Sequence, residues 1–192
     1  MNDTPTIVAF AGSTRTESFN KKLVKIAARG AAQAGAKVEF VDLRDLNLPL
    51  FDEDLEAKDG APEAATRLKS LLKACDGMLI ASPEYNSSLS GVLKNAIDWA
   101  TRPAEGEKPL EAFAGKAAVI MSASPGGLGG LRGLVHLRAI LGNIQVIVLP
   151  DQHAVSNAHE AISPEGEISD DALRSKIEGL GAKLTDVCRK LG

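Results

Sequence analysis

The chain has 192 residues, of which 44% are hydrophobic and 24% charged, a balance typical of one globular domain. The formal net charge of −3, without any basic run, argues against nucleic acid as a partner. No apolar stretch approaches the roughly 20 residues that cross a bilayer, and Met1–Pro5 does not start a signal peptide. We therefore expect a cytoplasmic protein without membrane insertion.

Short apolar runs alternate with helical patterns along the chain. The runs predict five strands, at 7–11, 38–41, 77–82, 116–122 and 145–149. Apolar residues three and four positions apart predict helices at 20–33, 61–74, 89–101, 131–141 and 170–191. Residues 43–60 and 151–168 are predicted to be loops. The alternation predicts an α/β fold, a parallel sheet with helices on both faces, as a single domain over residues 1–192.

Ligands of such sheets bind outside the carboxyl ends of the strands, where the strand order reverses. The first of these turns, 12–20, is rich in hydroxyls and opens a helix, whose N-terminal N–H groups suit a phosphate. Ser13, Ser18 and Asn20 add polar side chains, and Arg15 adds charge. An N-capping turn explains the same residue types equally well. The turn matches neither the Walker A loop nor the G-x-G-x-x-G fingerprint.

The turns after the third and fourth strands are also unusual. Residues 83–88 contain the only tyrosine of the chain, Tyr85, against which a planar heterocycle could pack. The alternative is a polar lead-in to the next helix with an incidental aromatic residue. Residues 122–130 have four glycines in five positions, which let the backbone approach a ligand closely. The alternative there is a flexible loop.

For the remaining candidate residues we expect structural roles. Cys75 and Cys188 have no spacing typical of a metal site or a redox dithiol, so we expect them to be packing residues. Lys94 and Asp98 are spaced for an ion pair within one helix. Trp99 is expected in the core or at a subunit interface. The three histidines are predicted to be neither catalytic nor metal-binding: His136, His153 and His159.

Three segments together resemble the NADPH-dependent FMN reductase family, and within it the quinone and chromate reductase branch. They read GSTRTESFNKKL at 12–23, SPEYNSSLSGVLKNAIDWATRP at 82–103 and SASPGGLGGLRGLVHLR at 122–138. The resemblance implies a flavodoxin-like, doubly wound, five-stranded parallel sheet of order 2-1-3-4-5. It also implies non-covalent FMN.

The resemblance also implies which residues hold the FMN. Those assigned to the phosphate and ribityl chain are Ser13, Arg15, Ser18, Phe19 and Asn20. Those bordering the isoalloxazine are Pro83, Glu84, Tyr85 and Asn86. Those along its other polar edge are Ser124, Gly126 and Gly127.

The resemblance implies an oxidoreductase in which NADPH or NADH reduces FMN and a small acceptor then reoxidises it, by a ping-pong scheme. The branch varies in its acceptors, so the resemblance does not identify the acceptor; a quinone is expected, with azo, nitro and chromate compounds as further candidates. No side chain is expected to act as a catalytic acid, base or nucleophile. Family members form homodimers or homotetramers, for which helices 89–102 and 128–142 are the expected contacts. Two alternatives stay open: a flavodoxin-type electron carrier, although such carriers are usually strongly acidic, and a reductase that supplies free reduced FMN.

Overall fold

The computed structural model of the protein describes residues 4–192. A five-stranded parallel sheet has the strand order β2-β1-β3-β6-β7. Two further short strands, β4 and β5, form an antiparallel hairpin. The strands are β1 Thr6–Ala11, β2 Lys37–Asp42, β3 Gly77–Ala81, β4 Glu84–Tyr85, β5 Ser88–Leu89, β6 Ala117–Ala123 and β7 Ile147–Val155. Counting the main-sheet strands alone, the order is the predicted 2-1-3-4-5, so the flavodoxin-like fold is confirmed.

Helices cover both faces of the sheet. They are α1 Phe19–Gln33, α2 Leu43–Leu46, α3 Glu53–Asp59, α4 Glu63–Ala74, α5 Gly91–Thr101, α6 Leu131–Asn143, α7 Ala158–Ala161 and α8 Asp171–Leu191. One core lies under α1 and α8, and the other under α4, α5 and α6. The central strands β3 and β6 are buried along their whole length, because helices pack on both of their faces. Among residues 4–192, no helix combines the length and the apolar character that crossing a membrane requires.

The α1–α8 contact depends on two glycines that let the helices approach closely. A Cβ atom on Gly181 would lie 1.9 Å from the carbonyl oxygen of Ala27, and one on Gly30 would lie 2.0 Å from that of Glu178. Real Cβ atoms do not come this close to backbone, so α8 can reach its position only because both residues lack a side chain. The packing fixes α1, whose N-terminus lies at the carboxyl edge of the sheet.

The loop predicted at 43–60 was wrong, because α2 and α3 lie within it. The carboxylate of Asp42 caps α2 by accepting a hydrogen bond from the Arg44 N–H. The carboxylate of Asp52 caps α3 in the same way. Every residue of α3 is at least partly exposed, so the segment carries no apolar periodicity that could have revealed the helix.

The loop predicted at 151–168 was also wrong at its beginning. Strand β7 continues to Val155, which pairs with Ala123 of β6, and α7 follows. This part of β7 contains polar residues, which an edge strand can hold because it is only partly buried. The polar turn predicted at 83–88 contains the β4–β5 hairpin. The helix predicted from Leu89 begins at Gly91, because the Ser90 hydroxyl caps it by accepting from the Leu93 N–H.

Several side-chain predictions are confirmed. Trp99 is 1% exposed, and its indole N–H donates to the Pro49 carbonyl. Lys94 pairs with Asp98 at 2.6 Å. Cys75 and Cys188 are free and buried, and burial raises the pKa of the Cys75 thiol to about 11 and that of Cys188 to about 12. Thiols with such high pKa values are inert at neutral pH, as expected for packing residues.

Candidate functional site

The turns that follow β1, β3 and β6 meet at the carboxyl edge of the sheet. Two adjoining recesses lie there, of about 90 Å³ and about 490 Å³, and Glu84 and Ser124 line both. All twelve residues predicted from the sequence line one or both of them. Those at the smaller recess are Ser13, Arg15, Ser18, Phe19, Asn20, Pro83, Glu84, Tyr85 and Ser124, and those at the larger are Glu84, Asn86, Ser124, Gly126 and Gly127.

The first turn is fixed to the neighbouring strand and helix. The Gly12 N–H donates to the Ala81 carbonyl at 2.8 Å, and the Ser90 hydroxyl donates to the Gly12 carbonyl at 2.6 Å. A Cβ atom on Gly12 would lie 2.8 Å from the Cβ atom of Leu93, so only glycine allows α5 to pack this close. The turn therefore starts from a fixed point at the centre of the sheet.

The end of this turn is the N-terminus of α1. The Ser18 hydroxyl caps the helix by accepting from the Lys21 N–H at 3.4 Å, which confirms the capping interpretation. Ser13 and Ser18 are 2% and 3% exposed, and the first turn of α1, all of it described, carries no acidic side chain. The other N–H groups of the first helical turn have no partner within the helix. Although Ser18 caps the helix, these remaining N–H groups can still bind an anion.

Asn20 ties the first turn to the fourth. Its amide nitrogen donates to the Ala123 carbonyl at 2.9 Å, and its amide oxygen accepts from the Ala123 N–H at 3.0 Å. The side chain is buried, so both hydrogen bonds are shielded from water. Asn20 therefore sets the distance between α1 and the end of β6.

The third turn is a hairpin that exposes an aromatic ring. Tyr85 pairs with Ser88, and the two residues between them, Asn86 and Ser87, have φ values of 52° and 66°. Two left-handed residues in a two-residue loop are the signature of a type I′ turn. The tyrosine is 51% exposed and lines the smaller recess, so its ring is available at that rim.

Glu84 joins the third turn to the fourth. Its side chain is 9% exposed, and it accepts from the Arg132 side chain at 2.6 and 2.8 Å and from the Arg132 and Gly133 N–H groups at 3.0 and 3.3 Å. The Glu84 carboxylate thus caps the N-terminus of α6. The N-cap residue itself, Gly130, makes no side-chain hydrogen bond to the helix. Burial raises the pKa of Glu84, but the hydrogen bonds from Arg132 and Gly133 outweigh it, and the net pKa lies below the usual value.

We expect Glu84→Gln to lower the free energy of unfolding by about 1–2 kcal/mol at pH 7, because one charged acceptor with several donors is lost. The pKa of Glu84 is lower in the folded than in the unfolded state. The contacts of its carboxylate with Arg132 and Gly133 therefore stabilise the fold fully above the unfolded-state pKa of about 4.3, and this stabilisation is lost as the pH falls through the lower folded-state pKa. Urea unfolding of both proteins at pH 7 and at lower pH measures this. The difference should shrink below about pH 4.3.

Glu105→Gln is the matched control, because Glu105 is exposed in a loop away from this edge, and it should leave stability unchanged. A difference between Glu84→Gln and the parent that stayed constant with pH would contradict the role given to the carboxylate.

The four glycines of the fourth turn fall into two classes. Gly129 and Gly130 have φ values of 61° and 90°, and a Cβ atom on Gly129 would lie 2.7 Å from the backbone of Val155. These two are required by the fold. A Cβ atom on Gly126 would meet only the Ser124 hydroxyl, at 3.6 Å, and one on Gly127 would meet nothing within 4 Å among the described residues. The backbone of these two borders open space that a ligand can fill.

Five residues that line the larger recess were not among the predicted site residues: Ser87, Leu128, Gly129, Gly130 and Arg132. Arg132 could have been identified, since it follows the glycine-rich turn by two residues and lies in the first turn of α6, at the same edge. Its pairing with Glu84 is a contact across 48 positions that no local pattern indicates.

A further recess, of about 370 Å³, lies where α3, α4 and α5 meet, but its charged groups are already paired with each other. Lys69 contacts Glu107 at 2.6 Å, and Arg102 contacts Glu56 at 2.8 Å. The edge formed by the three turns differs, because it combines a helix N-terminus, buried hydroxyls, open backbone and an exposed ring. This donor set suits a planar ligand that carries a phosphate.

Comparison with known proteins agrees with this geometry. The family model for NADPH-dependent FMN reductase matches residues 5–160. The chain is 37% identical over 179 residues to an NAD(P)H-dependent FMN reductase of Pseudomonas aeruginosa, covering 93% of this chain and 92% of the relative. It is 31% identical over 182 residues to a quinone reductase of Escherichia coli K12, covering 93% of both chains.

A solved structure gives the same result. The flavoenzyme NAD(P)H:(acceptor) oxidoreductase FerB from Paracoccus denitrificans superposes with a TM-score of 0.82 at 32% identity, covering 98% of this chain and 100% of that one. The chain belongs to the NADPH-dependent FMN reductase family, whose members are oxidoreductases that use FMN and NAD(P)H.

Proposed function

We propose that the chain, as one FMN-binding domain, binds FMN non-covalently at the edge formed by the three turns and passes reducing equivalents from NADPH or NADH to a small acceptor. The observation that carries this proposal is the meeting of a hydroxyl-rich helix N-terminus, whose first turn has no acidic side chain, with the open space beside Gly126 and Gly127. A phosphate needs the first of these features, and the polar edge of a flavin needs the second.

The phosphate and ribityl chain are assigned to the first turn. The hydroxyls of Ser13 and Ser18 and the N–H groups at the start of α1 are the donors, and Arg15 adds a positive charge at the exposed side. Phe19 lines the same recess and packs against the core under α1 and α8. Asn20 contributes by holding this turn against Ala123, since one of its amide N–H groups and its amide oxygen are used there.

The isoalloxazine is assigned to the third and fourth turns. Pro83, Tyr85 and Asn86 border it from the hairpin, and Glu84 does so through its backbone, because Arg132 and α6 hold its carboxylate. The other polar edge is assigned to Ser124, Gly126 and Gly127. The Gly127 N–H would stabilise the negative charge that reduction places on the ring edge, since the Gly126 N–H donates to the Ser124 hydroxyl at 3.1 Å.

When bound, FMN supplies the hydride chemistry, and the chain supplies position and electrostatics. The larger recess beside the assigned flavin site is open and lined by the hairpin, the glycine-rich turn and Arg132. One such recess can receive the nicotinamide and the acceptor only in turn. We therefore propose a ping-pong scheme without a catalytic acid or base.

Several relatives are named quinone reductases or NAD(P)H:quinone oxidoreductases, which supports a quinone as the acceptor. We propose a quinone, with azo, nitro and chromate compounds as further candidates.

Initial rates measured while NADPH and a benzoquinone are varied together test the ping-pong scheme. Parallel double-reciprocal lines are expected, and intersecting lines would contradict the ping-pong scheme. An electron carrier would show no steady NADPH oxidation without a separate reductase.

We also propose that the chain assembles as a homodimer or homotetramer through α5 and α6. Leu131 and Val135 lie one turn apart on α6 and are 43% and 61% exposed, and Leu128 just before the helix is 55% exposed. An apolar strip of this kind beside a functional edge suits a subunit contact. Light scattering at micromolar concentration should give at least the dimer mass, and a monomer would contradict the assignment.

The free, buried cysteines fit a reducing compartment, for which we propose the cytoplasm.

A further inference from the structure

A residue that lines neither recess of the candidate site contacts the first turn from the side of α2. We call residues 13–18 the phosphate turn. Arg44, at the start of α2, donates from one guanidinium nitrogen to the Thr14 carbonyl at 2.9 Å and to the Thr16 hydroxyl at 3.4 Å. Thr14 and Thr16 are both exposed, and they lie in the middle of the turn, away from its anchors on the sheet. Arg44 therefore supports the part of the turn with the least other support.

A second contact from the same junction reaches the other end of the turn. One carboxylate oxygen of Asp42 accepts from the Arg44 N–H at 2.9 Å, and the other accepts from the Lys21 ammonium at 2.7 Å. The Lys21 side chain is 8% exposed and that of Asp42 is 23% exposed, so this ion pair is partly shielded from water. The backbone N–H of Lys21 donates to the Ser18 hydroxyl. The β2–α2 junction thus holds both the middle and the end of the phosphate turn.

We propose that Arg44 and Asp42 are positioning residues that set the shape of the phosphate turn, and hence the preference for FMN over riboflavin, without touching the flavin. This inference rests on the proposed function, because it takes the first turn as the phosphate site. Donors that are already ordered bind an anion more tightly than donors that must be ordered on binding. Riboflavin has the same ring and ribityl chain but no phosphate. Its dissociation constant therefore reports on the contacts of the ring and ribityl chain, without those between the phosphate and the phosphate turn.

The test is to titrate FMN and riboflavin into the full-length chain freed of flavin and to follow quenching of flavin fluorescence. Arg44→Ala should raise the dissociation constant for FMN about fivefold, the size expected for one or two lost hydrogen bonds. The dissociation constant for riboflavin and the melting temperature should stay unchanged. Arg44→Lys should restore part of the FMN affinity, because an ammonium can reach one of the two acceptors.

Two further variants complete the design. Asp42→Asn keeps an acceptor for the Arg44 N–H but weakens the pair with Lys21, so it should also lower affinity for FMN and not for riboflavin. Arg67→Ala is the matched control: it removes an exposed arginine from α4, a helix that lines neither recess at this edge, and should change neither constant.

The outcomes separate the inference from the proposed function. Equal weakening of both flavins by Arg44→Ala, or no weakening of FMN, would overturn the positioning role while leaving the FMN site in place. A parent protein that binds riboflavin as tightly as FMN would instead refute the phosphate assignment itself, and the inference with it.

Discussion

Gly181→Ala is expected to lower the free energy of unfolding by about 3 kcal/mol, the upper end of the usual cost of forcing an extra methyl group into a packed core. The new Cβ atom would lie 1.9 Å from the Ala27 carbonyl oxygen and 2.7 Å from the Ala31 nitrogen. Both are backbone atoms of α1, so no side chain can rotate away, and α8 must move as a whole. Urea unfolding followed by circular dichroism measures the loss.

Gly179→Ala on the same helix is the matched control. A Cβ atom there would meet nothing within 4 Å among residues 4–192, so the variant should gain about 0.5–1 kcal/mol from the higher helix propensity of alanine. If both variants had the same stability, the close α1–α8 contact would not be what fixes these helices. Because α1 carries the candidate phosphate site at its N-terminus, Gly181→Ala should weaken FMN binding as well.

Asn20→Asp is expected to have the largest effect on the site, about a 100-fold loss of FMN affinity, which corresponds to about 2.7 kcal/mol. The change is nearly isosteric, but it replaces the amide that donates to the Ala123 carbonyl at 2.9 Å with an acceptor. Two acceptors would then face each other in a buried position. The new carboxylate would also place negative charge beside the incoming phosphate. Fluorescence titration with FMN measures the loss.

Asn20→Ala separates the two causes. It removes both hydrogen bonds to Ala123 but adds no charge, so its loss of FMN affinity should be smaller, about tenfold. Riboflavin binding should fall less than FMN binding in Asn20→Asp, because riboflavin has no phosphate for the carboxylate to repel. Equal FMN affinities in Asn20→Asp and Asn20→Ala would show that charge at this position is irrelevant, and the phosphate would then have to bind elsewhere.

The sheet could be predicted from the sequence because its central strands are buried on both faces. Residues 78–81 and 117–121 are continuous apolar runs for that reason, and the observed strands differ from the predicted ranges 77–82 and 116–122 by one residue at each affected end. The polar half of β7 could not be predicted, because an edge strand lies partly in water and pairs through its backbone. The helix α3 was missed for a related reason: it buries no residue, so capping by Asp52 is its main sequence signal.

The site could be predicted as a set of turns, but the contacts between those turns could not. Turn residues and glycines are visible in the sequence, and the structure brings all twelve predicted residues to one edge. The links that fix their geometry join distant positions: Asn20 to Ala123, Glu84 to Arg132, and Arg44 to Thr14. Each depends on the sheet being assembled first, so no local pattern carries it. The positive φ values of Asn86 and Ser87 were likewise hidden, since neither residue is glycine.

We propose that FMN binds at this edge and is reduced there by NAD(P)H. The most direct measurement is the visible spectrum of the full-length protein loaded with FMN and passed through gel filtration, recorded under anaerobic conditions before and after NADPH is added. We predict flavin bands that elute with the protein, bleach on addition of NADPH, and return when a quinone follows. A protein that elutes without flavin, or flavin bands that NADPH does not bleach, would contradict the account.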